Sequence, residues 1–164
     1  MPVPLSLISV LNSVSNSNSK GFDGSQDSFE NWPNGTDTAP EGWTVVNLSG
    51  FGYVKQGTFG VTDGSFSVYM SSAGFAFTDF TAIQKSFDLS GFSLIELDYD
   101  INSGFGKIVI NSSTIDTAAE GATGTMSGDI SGFTGTHDVR IEHTNDPNSS
   151  YPTGSGSYDN LRLS

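Results

Sequence analysis

Asp63-Gly64-Ser65-Phe66-Ser67-Val68-Tyr69-Met70-Ser71 decides the fold. Asp-Gly is a strong tight-turn signal, since both residues tolerate the left-handed backbone such turns need. After the turn, Phe66, Val68 and Met70 fall on one side of an extended segment, with Ser65, Ser67, Tyr69 and Ser71 on the other. Successive strand side chains point to opposite faces, so one face is made for a core and the other is half-wet. The same pattern recurs outward in both directions. Segments 28–31, 42–48, 52–56, 59–62, 82–88, 94–101, 107–111, 125–130, 137–143 and 157–163 read as candidate strands, eleven with 65–71 included, so that about ten strands are implied. An all-β sandwich of antiparallel strands is the expectation. Trp43 alternates with Val45 and belongs to its core.

Composition agrees. The chain has 164 residues, with 20 Gly, 12 Phe and only 15% charged residues, so it lacks the Ala, Glu, Lys and Leu stock of helices. Its 18 acids against 6 Lys and Arg leave a net charge of −12. Nucleic acid is thereby excluded as a partner, because phosphate contacts need clustered cations. Zero cysteines remove disulfides, thiol catalysis and Cys-based metal sites. No apolar run approaches the roughly 20 residues of a membrane-crossing helix.

Residues 1–20 differ from the rest of the chain: an apolar start, then the low-complexity run NSVSNSNSK. A boundary near Lys20 divides this arm from a domain at 21–164. Leu7, Val10, Leu11 and Val14 have the i, i+3, i+4, i+7 spacing of one helical face. A short docking helix and a disordered terminus are both compatible with it. The first reading makes the arm an attachment to a neighbouring subunit. The N-terminus has no basic stretch before its apolar residues and reads poorly as a secretory signal.

Two strands carry polar patterns of their own. In 94–101, Ile95, Leu97, Tyr99 and Ile101 alternate with Glu96, Asp98 and Asp100, which reads as a solvated acidic face. In 137–143, His137 and His143 share the inward parity of Val139 and Ile141. Positions at strand ends, needing no burial, explain them better than a metal pair.

The ordered set SFENW, PEGWTVV, GVTDGSFSVYM, FDLSGFSLIELDYDI, KIVIN, DISGFTGTHDVRIEH and YDNLRL resembles the jelly-roll carbohydrate-binding modules of the galactose-binding-like superfamily, over about Phe29 to Leu163. The resemblance implies a jelly roll whose closing strand returns beside the first. It also implies one structural calcium ion clipping those strands together, with Glu30 and Asp159 as the matching acids and backbone carbonyls completing the shell. Asp23, Asp27 and Asp63 are weaker candidates.

Sugar recognition needs flat aromatic surface with amides, carboxylates or hydroxyls beside it. Trp32, Tyr69, Phe75, Phe77, Tyr99 and Tyr151 fall in loops or on outward positions; Trp32, Tyr69, Tyr99 and Tyr151 are the leading candidates for carbohydrate contacts. Catalysis finds less support. Glu96 and Asp98 are spaced to permit a glycosidase pair, but LIELDYDI lacks the final Glu of the laminarinase-like E-x-D-x-x-E strand. There is no G-x-S-x-G and no phosphate loop.

The expected function is therefore non-catalytic: a structural virion protein at the virion surface, a capsid decoration or tail-surface domain held by its N-terminal arm to other virion proteins and forming a homo-oligomer. The alternative is an extracellular calcium-stabilised carbohydrate-binding module or adhesin with a glycan partner. No membrane partner is expected.

Overall fold

The computed structural model describes residues 24–33, 37–47, 52–73, 79–146 and 153–164. Within them run eleven strands: β1 Gln26–Asp27, β2 Thr44–Asn47, β3 Tyr53–Gly57, β4 Ser67–Ala73, β5 Phe80–Asp88, β6 Leu94–Ser103, β7 Phe105–Ile110, β8 Ser113–Ala118, β9 Thr123–Asp129, β10 Thr136–Thr144 and β11 Thr153–Leu163. They form two antiparallel sheets stacked as a sandwich, the all-β architecture read from the sequence. One sheet has the order β3-β4-β11-β6-β9, with β1 also paired to β11; the other is β2-β5-β10-β7-β8.

The core lies between the sheets. Val54, Val68, Met70, Ile95, Leu97 and Ile101 enter from the first sheet, and Ile83, Phe87, Ile108, Ile110, Val139 and Ile141 from the second; all are buried. Each such side chain contributes roughly 1.5–3 kcal/mol on burial. Trp43 is in this core, edge-on to Phe29 and Phe87 at 5.5 and 5.7 Å, as its alternation with Val45 predicts.

Eleven residues make β11 long enough to serve two partners on one side. Thr153–Tyr158 pair with β4, and Leu161 and Arg162 pair with Asp27 and Gln26 of β1. Opening and closing segments thus lie side by side. A bulge interrupts β11 between Asp159 and Arg162, where Asn160 has φ 53°. The extra residue re-aims the strand. Asn160 Nδ2 and Arg162 then both reach Asp98, the arginine with two N–H groups at 2.9 Å each.

Several local expectations are corrected. The first strand is Gln26–Asp27, and 28–31 are irregular: the Phe29 amide donates to Asp27 Oδ1, and Phe29 takes φ 54° while its ring is buried. Segment 59–62 forms no strand, because the Thr62 and Asp63 amides donate to the Asp159 carboxylate instead of to a neighbouring strand. Strand β8 goes unnoticed in the sequence because STIDTA, at a sheet edge, shows no apolar alternation. The acids of β6 are not simply solvated, since Asp98 is 8% exposed beneath Arg162 and Thr62. His143 is fully buried, its ring bonded to Tyr158 and to the Ser103 carbonyl. His137 does sit at the exposed start of β10, bonded to Asn111 and the Thr134 carbonyl.

Candidate functional site

Glu30 and Asp159 meet through the loop between β3 and β4. Asp159 Oδ2 accepts from the Thr62 and Asp63 amides at 2.6 and 2.8 Å, and Glu30 Oε1 accepts from the Ser65 and Phe66 amides at 2.8 and 2.9 Å. Gly64, at φ 83°, stands between the two grips, and a side chain there would strike Glu30. Burial raises the Asp159 carboxyl to about 6 despite these amide bonds. For Asp98, burial also favours the neutral form, but hydrogen bonds from Arg162, Thr125, Thr62 and Asn160 prevail and hold it well below the usual carboxylate range.

A hard cation between Glu30 and Asp159 requires oxygens not already committed. Asp159 gives Oδ2 to both amides and the Thr62 hydroxyl, and Oδ1 to the Asn160 amide. Glu30 is different: its Oε2 is buried without a hydrogen-bond partner. Among the described residues, no three of His, Cys, Asp or Glu gather as a metal cluster. Of the pair, Glu30 keeps one uncommitted oxygen, while Asp159 is occupied in holding the loop.

The aromatic candidates do not converge. Trp32 is half-buried, its indole N–H donating to the Phe29 carbonyl at 2.6 Å, and it lines an open cleft of about 840 Å³ with Glu30, Glu41 and Gln56. Tyr69 lies on the outer face of the six-stranded sheet, stacked on Tyr53 at 5.9 Å. Tyr99 is on the inner side of that sheet, packed against the core. Phe75, Phe77, Tyr151 and the arm residues Leu7, Val10, Leu11 and Val14 lie outside the described residues.

A cluster that sequence reasoning missed occupies the outer face of the five-stranded sheet. Arg140 stands between Gln84 of β5 and Val109 of β7, and Glu142 between Ala82 and Lys107. Arg140 bonds Glu142 at 2.5 Å and stacks its guanidinium 5.5 Å from the Phe80 ring centre. Its Nε is buried with no hydrogen-bond partner. Val109 and Ala82 supply an apolar floor, both buried although they point away from the main core. The signal was present in HDVRIEH, where Asp138, Arg140 and Glu142 alternate with Val139 and Ile141. A row of alternating charge on a strand reads by default as solvated surface.

No family model matches the sequence, and no curated protein matches it. Solved structures do match in fold. The K2 adhesin domain of Lys-gingipain superposes with a TM-score of 0.61 at 14% identity, covering 85% of this chain and 96% of that one. A family 29 carbohydrate-binding module gives 0.51 at 12% identity, over 85% and 91%. TmCBM61, solved in complex with β-1,4-galactotriose, gives 0.50 at 11% identity, over 76% and 88%. The chain has the sandwich fold of carbohydrate-binding modules and of an adhesin domain.

Proposed function

We propose that this sandwich is a non-catalytic glycan-binding module of adhesin type, with its principal site on the β5-β10-β7 face. The observation that carries this reading is Arg140, half-exposed and fixed between the Phe80 ring and the Glu142 carboxylate above an apolar floor. Sugars present hydroxyls that both donate and accept beside apolar ring faces, and such a surface answers each part. The likeness in fold to carbohydrate-binding modules supports the reading. So does the engagement of the acids: Glu142 is paired with Arg140, Asp98 with Arg162, and Asp159 with loop amides. These carboxylates act as braces and not as an acid and base flanking a bond.

Affinity electrophoresis of the full chain through soluble polysaccharides tests it. Retardation by at least one polysaccharide is expected, weakened by Arg140→Ala and by Phe80→Ala; mobility indifferent to every polysaccharide overturns the reading.

One structural calcium ion belongs to the same proposal. Glu30 Oε2 would be its carboxylate ligand, and the ion would supply the positive partner this oxygen lacks, fastening residues 28–33 to the β3–β4 loop. The attachment of this domain to a virion rests on the arm at 1–20, outside the described residues, and no feature of the described sandwich favours it over the glycan reading.

A further inference from the structure

The six-stranded sheet carries, on its own outer face, a groove that the site around Arg140 does not use. Its floor is made of one-carbon side chains, Ser71 of β4 paired with Ser155 of β11, both half-exposed; two residues further along β11, opposite Tyr69, Ser157 is buried. One wall is Tyr69 with Tyr53, stacked at 5.9 Å and 28°. The other wall, across β11, is Asp100 with Asn102, whose amide donates to the Ser155 hydroxyl at 3.2 Å. Two strand spacings, about 10 Å, separate the walls. One end is stopped by Gly60, which sits so close over Ser157 and Asp100 that a methyl there would lie 2.9 and 3.1 Å from their Cβ atoms.

The chemistry of the walls selects an occupant. Lys55 holds its ammonium 5.4 and 5.0 Å from the centres of the two tyrosine rings, and it is solvent-exposed. Lys55, Tyr69, Ser157, Asp100 and Thr123 are in register across five strands, with Gly60 lying over Ser157 and Asp100 in the middle. A cation at one end of the row offsets the anion on the opposite wall, so the groove favours an uncharged ligand. The Ser71 and Ser155 hydroxyls and the Asn102 amide lie beside two half-exposed aromatic rings. The rings brace each other, so ordering them on binding costs little entropy. Neutral pyranose residues have this complement of hydroxyls and apolar ring faces.

We infer that the groove between Tyr53/Tyr69 and Asp100/Asn102 is a second glycan-binding site, for a neutral oligosaccharide, which makes the domain bivalent. It rests on the reading of the domain as a glycan binder. With one site on each outer face, separated by the full thickness of the sandwich, a single chain can bridge two polysaccharide strands. Bridging multiplies avidity without any new contact.

Titration calorimetry of the full chain with xylohexaose, cellohexaose, mannohexaose and β-1,4-galactotriose tests this, paired with the turbidity of the matching soluble polysaccharides. Two sites per chain are expected. Tyr69→Ala and the surface change Lys55→Ala should each weaken one site about tenfold, leave the other intact and abolish the turbidity. Arg140→Ala should spare the site that Tyr69→Ala removes. Lys55 is exposed, so its variant keeps the test decisive if Tyr69→Ala does not fold. A single site per chain, lost with Arg140→Ala and indifferent to Lys55→Ala, overturns the second site while leaving the glycan-binding reading in place. Absence of binding to every sugar overturns both.

Discussion

Tyr158 donates its hydroxyl to His143 Nδ1 across 2.6 Å, joining the middle strand of one sheet to the middle strand of the other. The tautomer is set by the other nitrogen: Nε2 faces the Ser103 carbonyl at 2.9 Å and must donate, leaving Nδ1 to accept. Glycines make room for the ring. A methyl on Gly154 would lie 2.8 Å from Nε2, and one on Gly106 would lie 2.6 Å from the tyrosine oxygen. Burial pushes the imidazole down to about 4 and the Tyr158 phenol well above its ordinary value.

Removing the hydroxyl leaves a buried nitrogen without its donor. Tyr158→Phe should lose about 1–3 kcal/mol in urea unfolding with an unchanged slope. A variant as stable as the parent means that the bond contributes nothing net.

Stability should also depend on acidity through His143. Its folded value of about 4 lies below the roughly 6.5 of an unfolded histidine, so between these values the unfolded chain binds the extra proton. The contribution is complete above pH ~6.5 and is lost as pH falls toward 4, on the order of 3 kcal/mol. Asp159 acts oppositely: its raised carboxyl holds a proton in the fold up to about 6, so its contribution declines as pH rises from about 4 to 6. Unfolding midpoints measured from pH 4 to 7 in Asp159→Asn should therefore rise more steeply than in the parent, and a flat profile there contradicts the histidine assignment.

Lys85 crosses between the sheets to Asp27 at 2.9 Å, where Asp27 Oδ2 also accepts from the Trp43 indole. Lys85→Met strands a buried carboxylate and should cost about 3–5 kcal/mol. Combining it with Asp27→Asn should recover a substantial part of that loss. Additive losses in the double-mutant cycle mean that the two groups are not coupled.

At Gly64 the backbone φ of 83° and the nearness of Glu30 both exclude a side chain. Gly64→Ala should destabilise by more than about 1 kcal/mol and loosen the Ser65 and Phe66 amides toward hydrogen exchange. Unaltered exchange at those amides refutes the carboxylate grip.

For calcium, thermal unfolding with added CaCl₂ should exceed that with chelator. A site at 100 times its Kd adds about 2.7 kcal/mol. Glu30→Gln should remove the difference, and equal midpoints in the parent would dismiss the ion.

The period-two alternation in 65–71 and 94–101, with the Asp-Gly turn, made the sandwich legible, because an apolar face must be buried whatever it meets. Alternation also placed Trp43. It could not show that Phe29 leaves the strand for a left-handed turn, since that conformation is sustained by Asp27 and by a ring packed on Trp43 14 residues away in sequence. Neither could it show that Glu30 and Asp159, 129 residues apart, would seize opposite ends of one loop.

The acid-bearing face of β6 and the charged row of β10 share one sequence signature, alternating polar residues on a half-buried strand. Only the partners distinguish them: Asp98 lies under Arg162 and the β3–β4 loop, while Arg140 is set on Phe80 and Glu142 above Val109. Local periodicity fixes which side of a strand faces the core, because it arises from backbone geometry residue by residue. What covers the opposite side depends on strand order and on where loops return, and those are properties of the assembled sheets.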